Sequence, residues 1–120
     1  MINLLRIMQD ILKKIERTKV EILIRKIAKE EGLDKQAREL AVAVARCESG
    51  LNSKATNRTG NNPATSTDRG LYMWNDYWHQ EISDKCAFNP ECATRAFCKA
   101  FKEGHLNWWS ASRRCWEKYR

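Results

Sequence analysis

A chain of 120 residues, 42% hydrophobic and 31% charged, has the length of one domain with one core and the composition of a folded protein rather than a disordered one. It has no apolar run of the roughly 18 residues that a membrane span needs, and "MINLLRIMQDILKKIERTKVEILIRK" is too often interrupted by charge to be a recognisable signal peptide. The net charge of +7 favours an anionic partner such as a cell-wall polymer, nucleic acid or a membrane surface, but the cations form no single run and accompany no nucleic-acid motif, so nucleic acid is not expected.

The first predicted element is a helix from Ile2 to about Lys29. Leu4, Met8, Ile11, Ile15 and Ile22 form a near-heptad stripe that skips Thr18, while Val20, Leu23, Ile24 and Ile27 form a second apolar face. That pattern implies a break near Thr18 or a helix that changes neighbours. Residues 1–18 are therefore set apart as an amphipathic helical extension, read first as a helix folded on its own domain and otherwise as a surface for self-association or surface anchoring, and residues 19–120 as the main domain.

Gly32 ends this helix and Asp34 caps the next, which runs to about Ser49 before Gly50 stops it. Leu40 to Ala45 contains no polar residue, the mark of a helix buried on most faces. "SKATNRTGNNPATSTDRGLYMWN" is rich in Thr, Asn and Gly and predicts a short β-hairpin turning at "TGNNPA". A loop through "NDYWHQEISDKCAFNP", a helix from Pro90 to about Glu103 and a short helix near Ser112 to Lys118 complete the chain. The fold class is α+β, mainly helical, with one small sheet.

All eleven Phe, Trp and Tyr residues follow Gly70. Any aromatic binding surface therefore belongs to the second half. Five cysteines, Cys47, Cys86, Cys92, Cys98 and Cys115, also avoid the first 46 residues. Their spacing does not suit zinc, and His79 and His105 form no ligand pair, so neither a metal nor a cofactor is expected. Disulfides in an extracellular or cell-envelope setting are expected instead, with the pairing open and one thiol left over.

Glu48 lies four residues after Val44 and seven after Ala41, on the apolar stripe of the second helix and in its last turn. Desolvation and the negative end of the helix dipole both penalise its charge, as suits a general acid. Asp68 lies among Thr65, Ser66, Thr67 and Arg69, whose hydroxyls and positive charge suit a carboxylate. A protonated acid facing an ionised one is what glycoside hydrolysis requires.

The segment "ESGLNSKATNR" followed by "STDRGLYMWNDYW" resembles the active-site region of animal-type (C-type) lysozymes, through Glu48, Ser49, Asn52, Ala55, Thr56, Asn57 and Arg58, then Ser66, Thr67, Asp68, Gly70 and Asn75. "ESGLN" and "RGL" also resemble bacterial soluble lytic transglycosylases. The likeness covers residues 34 to 78 well and "LNWWSASRRCW" more loosely. It implies a lysozyme-like fold with a small β-hairpin subdomain, here carrying an extra N-terminal helix. It also implies Glu48 as catalytic acid/base and Asp68 as the second carboxylate. Asn57, Ser66, Tyr72 and Asn75 would contact sugar, and Trp78 with Trp108 or Trp109 would wall a saccharide cleft. Indole faces suit the apolar faces of pyranose rings. Adjacent tryptophans on a helix point apart, so Trp116 and one of Trp108 and Trp109 are expected to be packing residues. The sequence departs from both families at Met73 and Trp74, where Gln and then Ile or Leu are common.

Three functions follow as expectations. The first is a muramidase cleaving the β-1,4 bond between N-acetylmuramic acid and N-acetylglucosamine in peptidoglycan. The second is a lytic transglycosylase, in which the muramyl 6-hydroxyl replaces water and leaves 1,6-anhydro products. The third is a noncatalytic glycan-binding module.

Overall fold

A computed structural model of the protein describes residues 3–58 and 65–120. The "TGNNPA" turn expected at residues 59–64 lies outside the described residues.

Helix α1 (Leu4–Glu30) starts at Asn3, whose side chain accepts the Arg6 N–H at 3.1 Å. It runs through Thr18 without a break, so the other expected alternative holds. The Thr18 hydroxyl donates to the Lys14 carbonyl at 2.9 Å, which satisfies it inside the helix. The helix changes surroundings instead: residues 3–19 are exposed, whereas Ile24, Ile27 and Ala28 are buried. Arg25 with Glu39, and Arg95 with Glu30 and Glu31, form ion pairs that set the helix against its neighbours. Such partly exposed pairs orient more than they stabilise.

Helix α2 (Lys35–Ser49) begins where the Asp34 carboxylate accepts the Ala37 N–H at 2.8 Å and ends at Gly50, which is left-handed at φ 63°. Every residue from Leu40 to Ala45 is buried, so α2 is the central helix. The hairpin expected next is a three-stranded antiparallel sheet in the order β1 (Thr56–Arg58), β2 (Thr67–Arg69), β3 (Trp74–Asn75). Two residues are too few for β3 to show an alternating pattern. The register pairs Asn57 with Asp68 and Asp68 with Asn75, placing the three side by side on one face. Thr56, Arg69 and Trp74 share the other face.

Gly70 turns the chain after β2 at φ 75°, and a Cβ there would lie 1.9 Å from the Ala87 carbonyl oxygen. Only glycine allows the sheet to sit this close to α3 (Asp84–Ala87). That short helix lies where a loop is expected; Ser83 caps it by accepting the Cys86 N–H. Helix α4 (Pro90–Lys102) has Pro90 in its first turn and Asn89 as its cap. A 3₁₀ helix (Leu106–Ser112), α5 (Arg113–Trp116) and a last 3₁₀ turn (Glu117–Tyr119) close the chain.

The aromatic core forms against α2. Tyr72 stacks on Phe97 at 4.5 Å, and Phe97 meets Trp109 edge-on at 4.8 Å. The polar tips are all used: the Tyr72 hydroxyl donates to Ala41 O at 2.9 Å, Trp109 Nε1 to Tyr72 O at 2.8 Å and Trp116 Nε1 to Trp109 O at 3.2 Å. Disulfides join Cys47 to Cys115 and Cys86 to Cys92, and Cys98 is a buried free thiol. Burial pushes that thiol up to about 11.

Candidate active site

The end of α2 and the middle strand of the sheet bring Glu48 and Asp68 into one cleft of about 590 Å³. Glu48 is carried by the last helical turn, immediately after Cys47, whose bond to Cys115 ties that turn to α5. Burial raises the Glu48 carboxyl above its ordinary value. A hydrogen bond with Ser112 works against this, and the charge of Asp68 adds to it. The charge of Asp68 therefore reaches Glu48 across the cleft, and burial drives Glu48 toward its protonated form.

Asp68 is held by a clamp. The Asn75 Oδ1 accepts the N–H groups of Tyr77 at 2.9 Å and Trp78 at 3.0 Å. That identifies the oxygen and directs Nδ2 to Asp68 Oδ1 at 3.0 Å. Arg69, expected beside Asp68, is absent from this network. Successive strand residues point to opposite faces, and Arg69 is buried, bonded to Trp74 O and Asp84.

The cleft walls are aromatic. Trp78 is 63% exposed and Trp108 44%, and both line the cavity with Met73 and His79. Trp108 is stacked on His105 at 4.2 Å and lies 4.7 Å from His79, so its indole is braced by two imidazoles. Met73 reaches the cleft from a turn whose N–H donates to Gly70 O, at a left-handed φ of 51° that is uncommon for a residue with a side chain.

Two of the expected sugar contacts have buried side chains. Tyr72 lines the cavity, but its side chain is fully buried with the hydroxyl bonded to Ala41, and Ser66 is buried outside the lining. Both lie where the sheet packs inward, a placement that local sequence does not reveal. Trp109 is a core residue at the floor of the cleft, and Trp116 is buried behind it, while Trp108 projects outward. Asn57 is exposed on β1 beside Asp68 and outside the cavity lining.

The local pattern also missed His79, Glu81, Ala111 and Ser112. His79 and Glu81 line the cavity as a pair, 3.3 Å apart. The signal for His79 is its place four residues after Asn75, in a turn where its N–H donates to Asn75 O. Ser112 had no such signal, because the Cys47–Cys115 bond brings its segment to Glu48. Among the described residues no group of His, Cys, Asp and Glu is arranged to hold a metal ion.

A lysozyme-like domain family matches residues 25–111, close to three-quarters of the chain and including both acids and the aromatic walls. The chain belongs to the lysozyme-like domain family. No curated protein matches it significantly. Membership carries the mainly helical fold with a small sheet and a role in acting on or binding glycans. The matched region of this lysozyme-like domain starts within α1, one residue after Ile24, where the helix is already buried against the core. Its two disulfides fit an extracellular or envelope location, and no helix among the described residues is long and apolar enough to cross a membrane.

Proposed function

We propose that the protein is a muramidase, cleaving the β-1,4 bond between N-acetylmuramic acid and N-acetylglucosamine in peptidoglycan. The observation that supports this best is a desolvated Glu48 facing Asp68 across an open, aromatic-walled cleft. Residues 19–120 form the catalytic unit on this reading, and residues 1–18 extend it.

In this mechanism Glu48 gives its proton to the glycosidic oxygen as the C1–O bond breaks. Asp68, oriented by Asn75, stabilises or captures the positive charge at C1. Water then completes the hydrolysis at C1, returning a proton to Glu48. Trp78 and Trp108 offer flat faces to successive pyranose rings, and the exposed Asn57 offers an amide at the edge of the sheet. The positive charge of the protein favours its approach to an anionic wall polymer.

The test is digestion of purified peptidoglycan by the protein and by Glu48→Gln, with the soluble sugars analysed by mass spectrometry. Reducing muramic ends that depend on Glu48 are expected. Anhydro products one water lighter would make it a lytic transglycosylase, with Asp68 structural. Glycan binding without any Glu48-dependent product would leave a noncatalytic binding module.

A further inference from the structure

Among the described residues, large apolar side chains are exposed in only two places. Tyr77, Trp78 and Trp108 belong to the cleft region and are aromatic. The other eight all lie on α1 and are aliphatic: Leu4, Leu5, Ile7, Met8, Ile11, Leu12, Ile15 and Ile22, from 44% to 69% exposed. Together they present a patch on the order of 800 Å², above the roughly 300–600 Å² that a monomer usually shows.

The patch has a direction. At ~100° per residue these side chains occupy an arc roughly 160° wide, while Val20, Ile24, Ile27 and Ala28, which pack on the domain, lie on nearly the opposite side. The apolar stripe thus points away from the fold that carries it. Its own domain leaves it exposed, and only at Leu12, on the edge of the arc, does it border a groove shared with residues 49–54.

Width and charge select the occupant. An arc this wide exceeds the narrow seam that a two-stranded coiled coil buries. Lys14 borders the arc, and Lys19 and Lys26 lie within its continuation around Ile22, all exposed. From Asn3 to Lys19 the helix has five cations, Arg6, Lys13, Lys14, Arg17 and Lys19, against Asp10 and Glu16. Two copies placed stripe to stripe would bring these lysines together. A bilayer with anionic headgroups would neutralise them while receiving the aliphatic side chains.

We propose that α1 lies on an anionic lipid surface as an interfacial helix, with the glycan-binding domain held on its outward side. The proposal is independent of whether the cleft cuts glycan. It is tested by co-sedimentation with vesicles of equimolar phosphatidylcholine and phosphatidylglycerol, and with phosphatidylcholine vesicles alone, for the full chain and two double variants. Ile11→Glu with Ile15→Glu is expected to weaken binding by on the order of a hundredfold. Lys14→Glu with Lys19→Glu should weaken binding to the anionic vesicles specifically. All four positions are exposed, and circular dichroism checks that the fold survives. Equal binding to both vesicle types, binding that survives Ile11→Glu with Ile15→Glu, or no binding to either vesicle overturns the proposal. Sedimentation velocity of the free protein covers the remaining occupant: a dimer that the isoleucine variant dissociates, in protein that ignores vesicles, assigns the stripe to a second copy.

Discussion

Replacing Asn75 by Asp tests the clamp on Asp68 directly. The new carboxylate can still accept the N–H groups of Tyr77 and Trp78, but it sets an oxygen where Nδ2 donates to Asp68 Oδ1 at 3.0 Å. Two charges ~4 Å apart at an effective dielectric of ~20 repel by about 4 kcal/mol. Partial exposure of both groups reduces this to about 2 kcal/mol. The pair avoids the repulsion by retaining a proton, so one carboxyl of the variant has a raised folded-state value. A raised acid contributes stability below its unfolded value and loses that contribution as pH rises through the folded one. The variant should therefore lie close to wild type near pH ~4 and fall about 2 kcal/mol below it near pH ~7. Urea unfolding at both pH values, with Asn75→Ala as the uncharged control, measures the difference. A deficit of equal size at both pH values would refute the amide orientation and the Asp68 contact with it.

Glu48→Gln carries a stability signature as well as a catalytic one. Burial raises the Glu48 carboxyl, so wild type loses stability as pH rises through that value, whereas the neutral amide does not. Urea midpoints of the variant should gain on wild type from acid toward neutral pH, and parallel curves would contradict this. Gly70→Ala should cost on the order of 3–5 kcal/mol or prevent folding, because its Cβ would meet the Ala87 backbone at a positive φ; thermal unfolding reads this. Cys47→Ala with Cys115→Ala opens a bond between residues 68 apart, and chain entropy puts that loss at about 4 kcal/mol. Thiol titration of the unmodified protein should find no reactive group until unfolding releases Cys98.

Features that depend on residues within a turn or two were legible in the sequence. Asp34 caps α2 by accepting the N–H three residues on, Pro90 opens α4 in its first turn, and Gly50 stops α2 by its own backbone freedom. Glu48 could be located at the end of a buried helix because Leu40 to Ala45 repeat no polar residue. The motif around Asp68 placed that carboxylate on a strand. Thr18 left a break or a change of neighbours open, because a polar residue in an apolar stripe looks like an interruption; its hydroxyl bonds back to Lys14, the helix continues and its neighbours change.

The sequence by itself determined the central buried helix, the acid at its end, the second acid in a β segment and an aliphatic N-terminal helix, since each follows from local periodicity and side-chain chemistry. Tertiary structure alone decided the rest. It buried the side chains of Tyr72, Ser66 and Trp109 and left Trp108 outside, paired Cys47 with Cys115, brought Ser112 to Glu48 and turned Arg69 away from Asp68. The physical reason is range. Caps and periodicity act over a few residues of chain, whereas these outcomes depend on which distant surfaces compete for the same space. The same competition buries one face of α1 and leaves the apolar stripe on the other face exposed.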